Sequence, residues 1–253
     1  MIKRHVKGRQ CCDPYDVFSL VYDRFMSHVD YREWAGYIAD LLGTYAGSTG
    51  CVLDCACGTG SMAAALAGEG FDVAGFDSSL AMVRQAAGKN LKKVWQGDMR
   101  SVPLKREWDA ALCLYDSLQY LCGEDAGLFF SNIAGVLRRG GMFIADLVPE
   151  VHLISYWSDF VEHEEIGQWQ VTRKSRLDRR ARMQRTDFEF RHKKQGTVLS
   201  EHHVQYVYSI AQITNMLRNA GFSVIDIFDR CTRNRGTERS DRVHVVCRLE
   251  ATL

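Results

Sequence analysis

Proline is nearly missing from this chain, with three in 253 residues, which excludes a collagen-like or polyproline architecture. Charge of one sign is missing too. Lys and Arg total 32 against 31 Asp and Glu, a formal net charge of +1, so no global field draws in nucleic acid or an anionic membrane. No stretch approaches the roughly 18 uninterrupted apolar residues of a membrane-spanning helix, so no membrane partner is expected. No two cysteines stand as C-x-x-C, which argues against zinc, and no metal site is expected. Internal repeats and low-complexity linkers are absent. Residues 1–12 are basic but lack the apolar run of a secretory signal, so a cytoplasmic protein is expected. Its nine cysteines would then behave as small apolar thiols.

The composition is that of a soluble globular chain, with 46% hydrophobic and 25% charged residues. The length suits one large domain, or one domain carrying a cap, able to bury ~75% of its unfolded surface. Residues 15–45 place apolar side chains at helical spacing, among them Phe18, Tyr22, Phe25, Trp34, Tyr37 and Leu41. From Cys51 the pattern becomes short apolar runs alternating with helical segments. Strands are predicted at 51–54, 72–77, 93–96, 110–114 and 142–148, with helices between them, including 61–67 and 128–137. Continuous rather than alternating runs suit strands buried on both faces of a parallel sheet. After Pro149 the pattern shifts again. Residues 168–208 alternate charged and apolar side chains, with turns at 178–181 and 194–196, and read as an antiparallel meander. A helix closed by Ala220-Gly221 and strands at 222–228 and 243–249 complete the chain.

The strongest chemical signal is Val52-Leu53-Asp54-Cys55-Ala56-Cys57-Gly58-Thr59-Gly60-Ser61, a strand, a glycine turn and a helix start. Small residues let a ligand approach the backbone, and the helix N-terminus offers free N–H groups. Gly58 to Ala63 also fits the dinucleotide pattern G-x-G-x-x-A. Asp54, however, ends the strand where a pyrophosphate would be repelled and an ammonium group welcomed. Asp77 ends the second strand and can accept both hydroxyls of a ribose. Asp98 follows the third.

The succession LDCACGTG, AGFDSSLAM and QGDM resembles the class I S-adenosylmethionine-dependent methyltransferases over residues 50–148, with Ala56 replacing the family's first glycine. The resemblance implies a Rossmann-like fold, a seven-stranded mixed sheet flanked by helices, and S-adenosyl-L-methionine as cofactor. It implies that Asp54 and the turn through Ala56, Gly58 and Gly60 hold the methionine end. Asp77 and Ser78 would take the ribose, Asp98 the adenine amino group, and Met82, Met99 and Leu114 would pack beside them. More narrowly, the chain resembles small-molecule methyltransferases with an antiparallel insertion after strand five. Tyr15…Tyr22…Trp34, Asp116-Ser117-Leu118-Gln119-Tyr120 and Glu201-His202-His203 carry that likeness. It divides the chain into N-terminal helices and the first part of the core (1–148), an antiparallel β cap (149–207) and a closing helix with a strand pair (208–253).

Each residue has a plainer role to set beside the functional one. Tyr15, Tyr22 and Trp34 divide between a helix core face and a lid over the cofactor. Asp116 lies beyond strand four, where open α/β sheets place their chemistry, though it or Ser117 could simply cap a helix. His202 and His203 are adjacent on a strand and face opposite ways. His203 is expected inward, as a catalytic group or as a satisfied structural histidine. Asp116 and His203 are therefore the catalytic candidates. Residues 173–194 hold ten Lys/Arg against three Asp/Glu. That run could be an RNA-binding face or a solvated sheet face balanced by the acidic 159–165 segment, with Phe188 and Phe190 packing inward. The expectation is methyl transfer to a nitrogen or oxygen of a small molecule, under a roof formed by the insertion. The alternatives are an RNA methyltransferase, an NAD(P)-dependent oxidoreductase and a non-catalytic cofactor-binding regulator. The oligomeric state is not legible.

Overall fold

The computed structural model describes residues 9–47, 50–89, 91, 93–102, 108–156 and 158–250. Most of the basic N-terminal run lies outside them. The elements in chain order begin with β1 (Arg9–Cys11), a 3-10 turn (Phe18–Leu20), α1 (Tyr22–Phe25) and α2 (Tyr31–Ala46). The core alternation follows as β2 (Cys51–Cys55), α3 (Ser61–Gly68), β3 (Asp72–Asp77), α4 (Leu80–Gly88), β4 (Val94–Gln96) and β5 (Trp108–Cys113). A second 3-10 turn (Ser117–Tyr120), α5 (Gly123–Val136), β6 (Leu137–Leu147) and α6 (Glu150–Tyr156) lead to β7 (Phe160–Ile166), β8 (Trp169–Asp178), β9 (Met183–His192) and β10 (Val198–Tyr206). The chain closes with α7 (Ile210–Asn219), β11 (Phe222–Asp229) and β12 (Val243–Leu249).

The main sheet has seven strands in the order β11-β12-β6-β5-β2-β3-β4. All its pairings are parallel except those of β12, which runs antiparallel to β6 and β11. Adjacent residues of β2 show why it is a central strand. Val52 packs with Ile38, Leu41 and Leu66 of α2 and α3, while Leu53 packs with Phe129, Ile133 and Phe143 around α5. Both faces are covered, so the strand has no polar face to alternate. Asp30 starts α2 by accepting the Arg32 and Glu33 N–H groups, and Ser209 with Gln212 forms a capping box on α7.

The second sheet, β1-β10-β9-β8-β7, is antiparallel from β7 to β10, with β1 added in parallel at the β10 edge. It covers a separate apolar cluster in which Val17, Phe18 and Val21 meet Ile166, Val171, Phe188 and Phe190. The N-terminal segment is thus a layer of the cap. The meander starts earlier than expected, because Phe160–Ile166 turns about Gly167 to pair with β8. Strand β6 also starts earlier, at Leu137 rather than Met142, and α5 begins at Gly123 rather than 128.

Candidate active site

The turn after β2 is built from left-handed backbone. Ala56 has φ 57°, Gly58 56° and Gly60 75°, and the alanine accepts a conformation that costs a side-chain-bearing residue about 1–2 kcal/mol. The turn lies so close to β3 that a Cβ on Gly75 would stand 2.9 Å from Cys57 Sγ. Buried Cys55 and Cys57 are therefore packing groups. Asp77 binds the turn to its own helix: Oδ2 accepts the Gly58 N–H at 2.9 Å and Oδ1 the Ser79 N–H at 2.8 Å. Burial raises its pKa, and those two N–H groups oppose the rise. Asp54 has no such compensation. It is 3% exposed, its Oδ2 has no hydrogen-bond partner among the described residues, and burial, with Asp77 adding repulsion, pushes its pKa to about 7. Asp98 is held ionised by Arg100, whose guanidinium lowers its pKa.

Three neighbouring spaces that share wall residues such as Tyr22 and Tyr115 open above these residues. A trough of about 470 Å³ is walled by Asp77, Ser78, Met82, Asp98 and Met99. A recess of about 50 Å³ is lined by Asp54, Ala56, Gly58 and Leu114. A cavity of about 650 Å³ lies under the cap sheet and contains Asp116 and His203. Tyr15 and Tyr22 wall both large spaces. Trp34 lines only the cavity under the cap, where it stacks on Tyr115 at 4.6 Å between centroids. Gly60 lies outside all three. A Cβ there would collide with Leu91 and Ala86, so this glycine serves the packing of the turn on α4.

Tyr115 and Asp116 both have positive φ, 61° and 52°, and a buried carboxylate holds them there. Asp146, at 0% exposure, accepts the Tyr115 N–H at 2.9 Å and the Asp116 N–H at 2.7 Å. Arg242 bridges the two acids, giving one N–H to Asp146 and one to Asp116, each at 2.8 Å. Burial works against its charge, but Asp146 and Asp116 more than offset that and keep the guanidinium protonated. Gln205 donates to the other Asp116 oxygen at 2.7 Å. Asp116 makes no side-chain cap bond to the following turn.

His203 faces inward and is 3% exposed, whereas His202 points out and meets Asp187. Buried Glu201 accepts backbone N–H groups from Tyr15, Val17 and Phe18 and lies 3.0 Å from His203 Nε2. With Glu201 as the acceptor, Nε2 is assigned the proton, and in the neutral tautomer Nδ1 is left as an acceptor. In that assignment the Tyr120 hydroxyl donates to Nδ1 at 2.9 Å and the Tyr15 hydroxyl to Tyr120 at 2.7 Å. The result is a continuous hydrogen-bonded line from the wall of the cavity to a buried carboxylate. Tyr120 and Glu201 belong to the motifs that carry the likeness but have no role assigned there, and Tyr115, Asp146 and Arg242 are not marked by the sequence at all. Their partners are distant in the chain, so no local spacing predicts the pairings.

A seven-stranded sheet with one reversed strand and carboxylates at the ends of β2 and β3 defines the Rossmann-like methyltransferase class. Residues 52–141 match the family described as a methyltransferase domain. YqeM of Bacillus subtilis, described as a methyltransferase, is 28% identical over 251 residues, covering 94% of this chain and 98% of its own. The dTDP-3-amino-3,4,6-trideoxy-alpha-D-glucopyranose N,N-dimethyltransferase of Streptomyces venezuelae is 33% identical over 137 residues, 53% of this chain and 55% of its own. A Clostridium acetobutylicum S-adenosylmethionine-dependent methyltransferase superposes with a TM-score of 0.82 at 21% identity, covering 94% of this chain and 99% of that one. The chain is an S-adenosylmethionine-dependent methyltransferase with the Rossmann-like methyltransferase fold, and its cofactor is S-adenosylmethionine. The site's chemistry fits that molecule, because the unpartnered Asp54 carboxylate calls for a buried cation.

Proposed function

We propose that this enzyme methylates a nitrogen or oxygen of a small molecule held beneath the cap sheet. One observation carries the reading: Tyr15, Tyr22, Tyr115 and Tyr120 wall both the trough beside Asp77 and the cavity under the cap. Groups lodged on the two sides would meet at that wall, with water restricted to the openings. We assign Asp54 and the Ala56–Gly58 backbone to the methionine end of the cofactor, Asp77 to the ribose and Asp98 with Met99 to the adenine. The bound cofactor supplies a methyl group already activated by its sulfonium charge. The chain's own work is then alignment and proton removal. Both Asp116 oxygens are engaged by Arg242 and Gln205, which suits a group that fixes the nucleophile's position. His203, reached through Tyr120, offers the lone pair that can take a proton.

The Streptomyces relative acts on an amino sugar, which supports a small acceptor. The basic run supports it too, because several of its cations are committed within the protein. Arg182 pairs with Glu150 and bonds the Val207 carbonyl, and Lys193 pairs with Glu165. Titrating the protein with S-adenosylhomocysteine, NAD and NADP, then offering tritiated cofactor with metabolite extract or bulk tRNA, tests the reading. The expected outcome is binding of S-adenosylhomocysteine alone and label in the small-molecule fraction. Nicotinamide binding, or label in tRNA, would overturn it.

A further inference from the structure

The cavity under the cap has an uneven charge balance, and the imbalance bears on what can enter. Five carboxylates line it: Asp30, Glu33, Asp116, Glu162 and Glu164. Its two guanidinium groups are Arg173 and Arg242. Both are already engaged. Arg242 is bonded to Asp116 and Asp146. Arg173 lies 3.8 Å from Glu162, with its guanidinium 4.7 Å from the Phe160 ring centre. Subtracting these pairs leaves Asp30, Glu33 and Glu164 to set the field at the opening. His28 is the only other ionisable cation candidate there besides His203 among the described residues. Glu164 is half-buried beside Glu162; burial and that like charge raise its pKa, His28 and Arg173 only partly oppose the rise, and a further cation would still be favourable there.

The inner wall is aromatic, with Tyr22, Phe25, Trp34, Tyr115 and Phe188 facing the same space. Such a wall accepts a flat or aliphatic body and attracts positive charge to ring faces. Among the described lining residues a phosphorylated ligand would find no uncommitted arginine and three carboxylates without a salt-bridge partner. At the far end stands the Tyr15–Tyr120–His203–Glu201 line, independent of the carboxylates at the mouth, which can accept a proton but has no built-in cation.

We propose that the acceptor is a phosphate-free primary or secondary amine that enters as its ammonium ion, drawn by Glu33 and Glu164 and seated against the aromatic wall. This rests on the cavity under the cap being the acceptor site. The ammonium gives up one proton to become a nucleophile. Tyr15 takes that proton as it passes its own to Tyr120, and Tyr120 passes its proton to His203 Nδ1, so neither phenol has to ionise. The imidazolium formed is held against Glu201. The nitrogen lone pair forms the new N–C bond, the departing sulfur keeps the electrons of the broken S–C bond, and the proton leaves to water once the product has gone. Charge balances, because the methylated amine carries the positive charge formerly on sulfur.

Calorimetric titration of the protein saturated with S-adenosylhomocysteine tests this with four probes: phenethylamine, 2-phenylethanol, phenylacetate and dTDP. Phenethylamine should bind about tenfold or more tightly than its neutral isostere, the effect of one to two partly exposed charge interactions. Phenylacetate and dTDP should not bind. The Glu33→Gln/Glu164→Gln variant should lose most of that preference while keeping its affinity for S-adenosylhomocysteine. Gln at position 33 retains the helix-start geometry, so folding is not at issue. Binding of dTDP, equal binding of 2-phenylethanol, absence of phenethylamine binding, or a preference that survives the double change would each overturn the proposal. Failure of S-adenosylhomocysteine itself to bind would instead overturn the cofactor assignment on which it stands.

Discussion

Glu201 and Tyr15 are joined across 186 residues of chain, the Glu201 carboxylate accepting the Tyr15 backbone N–H at 2.9 Å. The same carboxylate takes the N–H groups of Val17 and Phe18, so one side chain of the cap fixes the segment that walls both large cavities. Tyr15 itself has φ 68°, a conformation that needs outside support in a residue other than glycine.

Glu201→Gln should therefore act on the whole segment. An amide offers one oxygen where two are used, and its NH2 would face N–H donors. Leaving one or two buried donors unpaired costs about 1–3 kcal/mol each. Urea unfolding should show a loss of about 2–4 kcal/mol, and hydrogen exchange should show the Val17 and Phe18 amides losing protection ahead of the main sheet. Unchanged protection at those amides would mean the N-terminal segment is held by packing alone.

Asp54 leads to a pH prediction of unusual sign. Its carboxyl is raised from 3.8 to about 7, so between those values the folded state binds the proton more strongly than the unfolded state. Stability is then present below pH 3.8 and is lost as pH rises through the folded pKa. The shift corresponds to a penalty of up to about 4 kcal/mol in the ligand-free protein at alkaline pH. Asp54→Asn should remove that penalty, raising the melting temperature most at pH 8, by roughly a third as much at pH 5 and hardly at all below pH 3.8, while abolishing S-adenosylhomocysteine binding. In the unaltered protein, affinity for S-adenosylhomocysteine should increase from pH 6 to pH 8, since the ligand's ammonium needs the ionised carboxylate. A melting temperature that responds equally at both pH values would contradict the assignment.

The contrast between Asp54 and Glu201 shows what a sequence exposes and what it hides. Asp54 stands at the end of an apolar run and before a glycine turn, so strand, turn and carboxylate are contiguous and the geometry is local. The same holds for β2, β3 and β5, whose continuous apolar runs follow from burial on both faces. Glu201 has its partners at Tyr15, Val17 and Phe18, and no spacing within the cap predicts them. Strand β1 is three residues long and exists because β10 offers an edge. Strand β7 reads Phe-Val-Glu-His-Glu-Glu-Ile, which looks like an acidic loop until β8 supplies a partner. Arg242 is likewise set by Asp146 and Asp116 rather than by its neighbours in sequence.

The basic cap surface should be dispensable. Arg179 and Arg180 lie in the turn between β8 and β9 and are exposed. Arg179→Glu/Arg180→Glu should change stability by no more than about 0.5 kcal/mol and leave methyl transfer intact. Arg182 is unsuitable for that test because it clamps Glu150, Val207 and Gln212. Salt-sensitive tRNA binding that the double reversal abolishes would turn the face into a nucleic-acid surface, and each phosphate no longer neutralised would make the salt slope shallower.

Asp116 is the sharpest test of the chemistry. Its backbone is held left-handed by Asp146, and its two oxygens accept from Arg242 and Gln205. Since the side chain caps no helix turn, tolerance of Asn at this position cannot be credited to capping. Asp116→Asn keeps the size and one acceptor oxygen, removes the charge, and presents an NH2 to either Arg242 or Gln205. Arg242 stays neutralised by Asp146, so the fold should survive with a modest loss, about 1.5–3 kcal/mol for one charged hydrogen bond. Asp116 lines the cavity under the cap, and affinity for S-adenosylhomocysteine should hold within about twofold while single-turnover methyl transfer slows ~10²-fold, because positioning and electrostatic contributions act on the transition state. The acceptor identified by the labelled screen supplies the assay. A variant that turns over at the normal rate would remove Asp116 from the chemistry and leave the Tyr120–His203 line, or alignment alone, to account for it.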